Sequence, residues 1–166
     1  MKKHDALNLL ASAKKGVPSK TVDGIAVPFL GDIRLPITFF AEDIELDLAA
    51  DAIVAFCATS PAMRATIQEH LFKAAQKSFE DNAFDFKTPQ DQIDESSESS
   101  GRFTGAKVPT ASEQIWLLVD LTSIHIEPSW KHNNQHVLRV NGECAWDCEH
   151  GVEVTFAANG SLVGAK

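Results

Sequence analysis

Residues 46–79 read LDLAADAIVAFCATSPAMRATIQEHLFKAAQKSF, and this stretch decides the fold class. Apolar side chains fall at 46, 49, 50, 53, 54 and 57, which is the three-and-four spacing of one helical face. Ser60-Pro61 then offers an N-cap and a first-turn proline. Met63, Ile67, Leu71, Ala74, Ala75 and Phe79 form a second stripe. The spacing predicts two antiparallel helices joined by a tight Thr59-Ser60 turn.

On either side the period changes from helical to alternating. Upstream, Ile25, Val27 and Phe29 alternate, Gly31-Asp32 marks a turn, and Ile33, Leu35, Ile37 and Phe39 alternate again. This predicts a β-hairpin, with Pro28 and Pro36 confined to edges or irregularities because proline cannot donate to a ladder. Downstream, Leu121 to Glu127 reads as a strand, and His136 to Cys148 alternates Leu138, Val140, Cys144, Trp146 and Cys148 on one face. Asn141-Gly142 interrupts that run as a tight turn or a bulge. Val152, Val154 and Phe156 make another strand, and Asn159-Gly160 is a hairpin signal before Leu162-Val163. Ser112 to Leu118 reads as a short helix. The expected architecture is α+β: an antiparallel sheet of hairpins packed against an antiparallel helical pair.

The chain has 166 residues, 44% hydrophobic and 23% charged, which suits one soluble domain with a core of its own. Acidic residues number 23 against 15 basic, a formal charge of −8. That excess argues against direct nucleic-acid binding, which needs Lys and Arg facing phosphate. The charge is unevenly placed: residues 2–20 carry net +4, residues 21–79 net −4, residues 80–100 net −6 and residues 101–166 net −2. Residues 1–20 are expected to hold a basic N-terminal helix, Asp5 to Lys15, stopped by Gly16. Residues 21–166 are expected to form the single α+β domain. Residues 84–110 lose periodicity, and the run 94–101, D-E-S-S-E-S-S-G, has no bulky apolar residue. A mobile acidic loop is expected there.

Met1-Lys2-Lys3 is basic, but Ala6 to Ala13 is short and broken by Asn8 and Ser12, unlike a secretory signal. No run reaches the length of a membrane span. Cys57, Cys144 and Cys148 are an odd, sparse set, unlike a disulfide framework. The expected compartment is the cytoplasm, with no membrane partner.

The candidate chemistry is thin. Cys144, Cys148 and His150, with His125, His132 and His136 nearby, are the nearest approach to a metal site. On a continuous strand, however, Cys144 and Cys148 stand about 13 Å apart at roughly 3.3 Å per residue, too far for one ion. His132 and His136 flank Asn133-Asn134-Gln135, which is turn chemistry. Asp147 or Glu149 with His150 is a conceivable acid–base pair. No nucleophile elbow, phosphate loop or dinucleotide fingerprint occurs. No cofactor and no catalytic residue is expected. The acidic run is the other candidate, as electrostatic bait for a basic partner.

From Cys144 to Phe156 the chain reads C-A-W-D-C-E-H-G-V-E-V-T-F, followed by Asn159-Gly160 and Leu162-Val163-Gly164. This resembles the ending of a family of uncharacterised bacterial proteins with a C-terminal Trp-acidic-x-Glu-His-Gly signature. Gly24 to Phe40, residues 46–79 and Glu113 to Ile126 resemble its upstream segments more loosely. Trp146 would anchor a strand and Glu149-His150-Gly151 would make the reversal. Some such proteins are associated with toxin immunity in contact-dependent growth inhibition or polymorphic toxin systems.

The resemblance and the charge together imply an immunity-type protein that neutralises a cognate toxin domain, a basic nuclease, by masking its surface. Asp91, Asp94, Glu95 and Glu98 are the first partner-binding candidates, with Asp147 and Glu149 second. The alternatives are a metal-binding protein or enzyme at Cys144, Cys148 and His150, and a regulatory module using the basic N-terminal helix.

Overall fold

The computed structural model describes residues 1–15, 19–31, 33–40, 42–129 and 135–166, with residues 14 and 15 in backbone only. Trp130, His132 and the Gly16 helix stop lie outside the described residues, so the His132–His136 pair has no structural account. The element order is α1 (Lys3–Ala11), β1 (Lys14–Lys15), β2 (Lys20–Ala26), β3 (Arg34–Phe39), α2 (Leu46–Cys57), α3 (Met63–Asp81), α4 (Pro89–Ser100), β4 (Val119–Ser129), β5 (Gln135–Cys144), β6 (Asp147–Phe156) and β7 (Leu162–Ala165). Short 3-10 turns occupy Pro28–Leu30 and Ser112–Leu117.

The α+β class expected from the alternating periods holds. The strands form one sheet in the order β1 to β7, antiparallel throughout except at β3 and β4, which run parallel. The parallel pair follows from the long connection: α2, α3 and α4 all lie between β3 and β4 in the chain, and a tight hairpin cannot join parallel neighbours. Pro36 sits just before Ile37–Phe39, the stretch of β3 that pairs with β4, so its missing N–H falls where the ladder has not begun on that side.

Register aligns the apolar positions into two rows on one sheet face. Val22, Ile37, Ile124, Val140 and Val154 are successive cross-strand partners, and so are Phe39, Ile126, Leu138 and Phe156. All nine are buried. Phe156 stacks on Phe29 at 5.7 Å between centroids and meets Phe56 of α2 edge-on at 5.0 Å. The opposite face is polar: Arg139 bridges Glu127 at 2.7 Å and Glu153 at 2.8 Å, and Thr38 hydrogen-bonds His125 at 3.1 Å. One face for the core and one for solvent is the usual economy of such a sheet.

Both helices expected in 46–79 form. The close helical neighbour of α2 is α1, whose Ala6 and Leu10 enter the same core. Lys3 of α1 reaches Asp47 at 3.2 Å and Asp51 at 2.8 Å on α2. The helix α1, which ends at Ala11 and not at the expected Lys15, is thus packed into the core of the domain, and α2 meets one of its charges. No described helix is long and apolar enough to cross a membrane.

The loop expected at 84–110 is a correction: residues 89–100 are the helix α4. Its punctuation is complete. Thr88 Oγ1 accepts the Asp91 N–H at 3.2 Å, and the Thr88 N–H donates to Asp91 Oδ2 at 2.9 Å, a reciprocal capping box. Pro89 opens the first turn, and Gly101 ends the helix in the left-handed region at φ 68°. One buried isoleucine and three small or amide side chains hold it: Ile93, Gln92, Ser96 and Ser97 are all buried. Short side chains suit this position because they reach backbone carbonyls at close range. Ser97 Oγ donates to Ile93 O and Phe103 O, and Ser96 Oγ donates to Cys144 O.

Candidate functional site

The capping box and Ile93 together set the rotation of α4. With Gln92, Ile93, Ser96 and Ser97 turned inward, Asp91, Asp94, Glu95 and Glu98 are all exposed. Their spacing of three, one and three is the repeat of a single helix face. The four carboxylates expected in a loose loop therefore form one fixed stripe.

The β5–β6 hairpin stands opposite. A second correction falls here. The strand expected to run from His136 through Cys148 stops at Cys144, and the chain reverses at Ala145-Trp146, pairing Cys144 with Asp147. Glu149-His150-Gly151 does not make the reversal. Gly142 pairs with Val152, so residues 148–151 are extra length on β6 and bulge from the ladder. Gly151 takes a positive φ of 68° there, and a Cβ on it would lie 2.3 Å from the Gly142 carbonyl oxygen. Asn141-Gly142 is accordingly a bulge site and not a turn. A Cβ at Gly142 would lie 2.1 Å from Asp120 O.

Asp147 organises the bulge. Its Oδ1 accepts the N–H of Glu149 at 3.2 Å and of His150 at 2.9 Å, and it lies 3.1 Å from His150 Nδ1. Trp146 fills the core beneath, 3% exposed. Its carbonyl oxygen accepts Gln92 Nε2 of α4 and Ser78 Oγ of α3, tying the hairpin tip to both helices.

Between α4, the bulge and the turn that follows α3 runs an open groove of about 410 Å³. Gln92, Ser96 and Trp146 line it from one side, and Asn82, Asp85 and Phe86 from the turn. Glu95, Asp147 and Glu149 add carboxylates, and no Lys or Arg is among the lining residues. Of the residues proposed from sequence, the fold thus brings Glu95, Asp147 and Glu149 around one cavity. Asp91, Asp94 and Glu98 continue the acidic surface along α4 but do not line the groove. A neighbouring depression of about 590 Å³ shares Trp146, Asp147 and His150, but Lys77 and Lys166 stand on its walls.

Phe84 and Phe86 went unnoticed in the sequence, and Asp85 entered only through the charge of residues 80–100. The signal that could have found the groove was Thr88-Pro89-Gln90-Asp91, a helix start whose recognition would have aligned the acids.

The cysteines do not assemble a site. Cys144 is buried, its thiol donates to Asp147 O at 3.5 Å, and burial pushes its pKa up to about 12. A thiol held so firmly protonated is a poor metal ligand or nucleophile. Cys148 is exposed and Cys57 half-buried on α2. Among the described residues no three or more His, Cys, Asp or Glu side chains are grouped to hold a metal ion.

Fold and groove define a small α+β protein whose sheet and fourth helix present a preformed acidic groove. The chain belongs to the family described as a domain of unknown function, DUF6985, which matches residues 13–164. Neither a curated protein nor a solved structure matches the chain.

Proposed function

We propose that this protein is an immunity-type binding protein. It occupies the substrate-binding surface of a cognate basic toxin domain, a nuclease, and acts by masking and not by turnover. The observation that carries the reading is the exposed stripe of Asp91, Asp94, Glu95 and Glu98 on a helix anchored to the core. Fixed carboxylates at helical spacing match Lys and Arg that otherwise hold phosphate, and such complementarity speeds encounter and excludes wrong partners. The resemblance of residues 144–164 to proteins linked with toxin immunity supports the same reading, with the cytoplasm as the place of action.

The test is co-expression and pull-down with the toxin domain encoded beside this protein. A complex at low salt and rescue of growth are expected. Replacing Asp94, Glu95, Glu98 and Glu149 by their amides should preserve the far-UV spectrum and weaken the complex about tenfold or more. Asp91 and Asp147 are spared because their oxygens bond backbone N–H groups. Absence of a complex at low salt together with absence of protection would sink the proposal.

A further inference from the structure

The turn between α3 and α4 carries an unusual side chain. The Asp85 and Phe86 N–H groups both donate to Asn82 O, at 3.0 and 3.2 Å, closing the turn. At its tip Phe84 is fully exposed, with a relative accessibility of 103%, while Phe86 turns in to line the groove. Folding gains nothing from a ring held wholly in water. Single exposed apolar residues are common on protein surfaces, but this one shares a five-residue turn with three groove-lining residues, Asn82, Asp85 and Phe86. Aromatic side chains at the margin of a groove are among the residues from which interfaces draw most of their binding energy.

The charge around it selects the occupant. Asp147 is committed within the bulge, as described above. Among the described residues, no hydrogen bond or ion pair engages the side-chain carboxylates of Asp85, Glu95 or Glu149, and no Lys or Arg lines the cavity. On the outer sheet face, by contrast, Arg139 is already held by Glu127 and Glu153.

We infer that the groove is a docking cleft for a basic polypeptide segment. Such a segment sets an apolar side chain against Phe84 and Phe86 and directs an Arg or Lys cation toward Glu95 and Glu149. The inference deepens the immunity reading and rests on it for the partner's identity. An acidic segment, or a nucleic-acid strand, would meet three uncompensated carboxylates.

The experiment uses the full chain and three short labelled peptides, alternating Arg with Leu, Arg with Ser, and Glu with Leu. Binding is read by fluorescence anisotropy and by backbone amide resonances. The Arg–Leu peptide should bind and shift the resonances of Asp85, Phe86, Glu95 and Glu149. Phe84→Ser should weaken it about tenfold, and Glu95→Gln with Glu149→Gln should weaken it and flatten its salt dependence. The Arg–Ser peptide should bind less tightly and be indifferent to Phe84→Ser. Equal binding of the Arg–Leu peptide to Phe84→Ser, equal binding of the Glu–Leu peptide, or shifts gathered around Arg139 overturns the cleft.

The toxin arm separates the two proposals. If wild type and Phe84→Ser bind the toxin domain equally, the cleft is wrong and the immunity reading stands. If the peptides behave as expected and no neighbouring toxin is bound, the cleft stands and the immunity reading falls.

Discussion

Replacing Ile93 by Ala tests whether α4 is a packed helix or a tethered loop. Ile93 is the only large apolar side chain that α4 buries, and it is 0% exposed. Truncating a buried isoleucine costs about 2–5 kcal/mol, and a middle value of about 3 kcal/mol suits a site on one side of the core. The remaining anchors are hydrogen bonds of Gln92, Ser96 and Ser97, and those of Gln90 with Ala106 O and the Val108 N–H, each worth about 1 kcal/mol. Against them stands a 12-residue helix with four serines and no intrinsic stability when detached. Losing Ile93 therefore removes the largest single contribution to what holds α4. The assay is native-state hydrogen exchange, followed peptide by peptide. At about 1.4 kcal/mol per decade, amides of residues 93–100 should exchange about 100-fold faster in Ile93→Ala. Amides of β4, β5 and β6 should change far less, because α4 opens without them. Ile93→Val, one methylene smaller, should accelerate exchange by less than about tenfold. Unchanged α4 exchange in Ile93→Ala would refute the packing argument. Acceleration of every strand by the same factor would refute the local-opening argument.

Other consequences of the structure are as open to measurement. Gly142→Ala should lower the unfolding free energy by more than about 3 kcal/mol in urea titration, since its Cβ would meet backbone atoms of Asp120 and Leu121 that cannot move without breaking the β4–β5 ladder. Burial holds the imidazoles of His136 and His125 below their ordinary value of 6.5, against the opposing charges of Glu45 and Glu127. The unfolded chain therefore takes up these protons first, and stability present above pH 6.5 should decline as pH falls through that value toward the lower folded ones. His136→Gln keeps an acceptor for the Glu45 N–H and should flatten part of that slope in urea midpoints. Burial pushes the Glu153 carboxyl up, but the Arg139 and Thr155 hydrogen bonds together with the Arg139 and Lys166 charges outweigh it, so its pKa is lowered below 4.5. Its contribution is present above that value and should be lost as pH falls through the depressed folded one. A thiol-specific disulfide reagent should modify Cys148 first and Cys57 more slowly, reaching Cys144 only on unfolding, with mass spectrometry locating each adduct.

Some of this molecule was legible without coordinates. Stripes of apolar residues at helical spacing became α2 and α3, and the alternating ones from residue 33 on became β3 to β6, because those periods reflect which side chains can share a face. Of Ile25, Val27 and Phe29, by contrast, only Ile25 lies in β2, and Phe29 falls in the 3-10 turn. The α4 helix was missed by the same logic. Its inward positions are Gln, Ile, Ser and Ser, so the buried face carries almost no apolar signal. Its punctuation, Thr88-Pro89-Gln90-Asp91 and Gly101, was readable and outweighed by composition. The bulge at 148–151 left only a glycine as a clue, since a break in pairing depends on what lies on the neighbouring strand.

The candidate site divides along the same line. By itself the sequence determined that the negative charge gathers in residues 80–100 and that Trp146, Asp147 and Glu149 belong to one short motif, because composition and adjacency are properties of the chain. Only the tertiary structure decided that Glu95 faces Asp147 and Glu149 across a groove, and that Phe84 stands in water on the same turn as Phe86. Those relations are set by the rotation of α4 about Ile93 and by the length of the β6 bulge. Both arise from contacts between segments some 50 residues apart, such as Gln92 to Trp146, which no local pattern encodes.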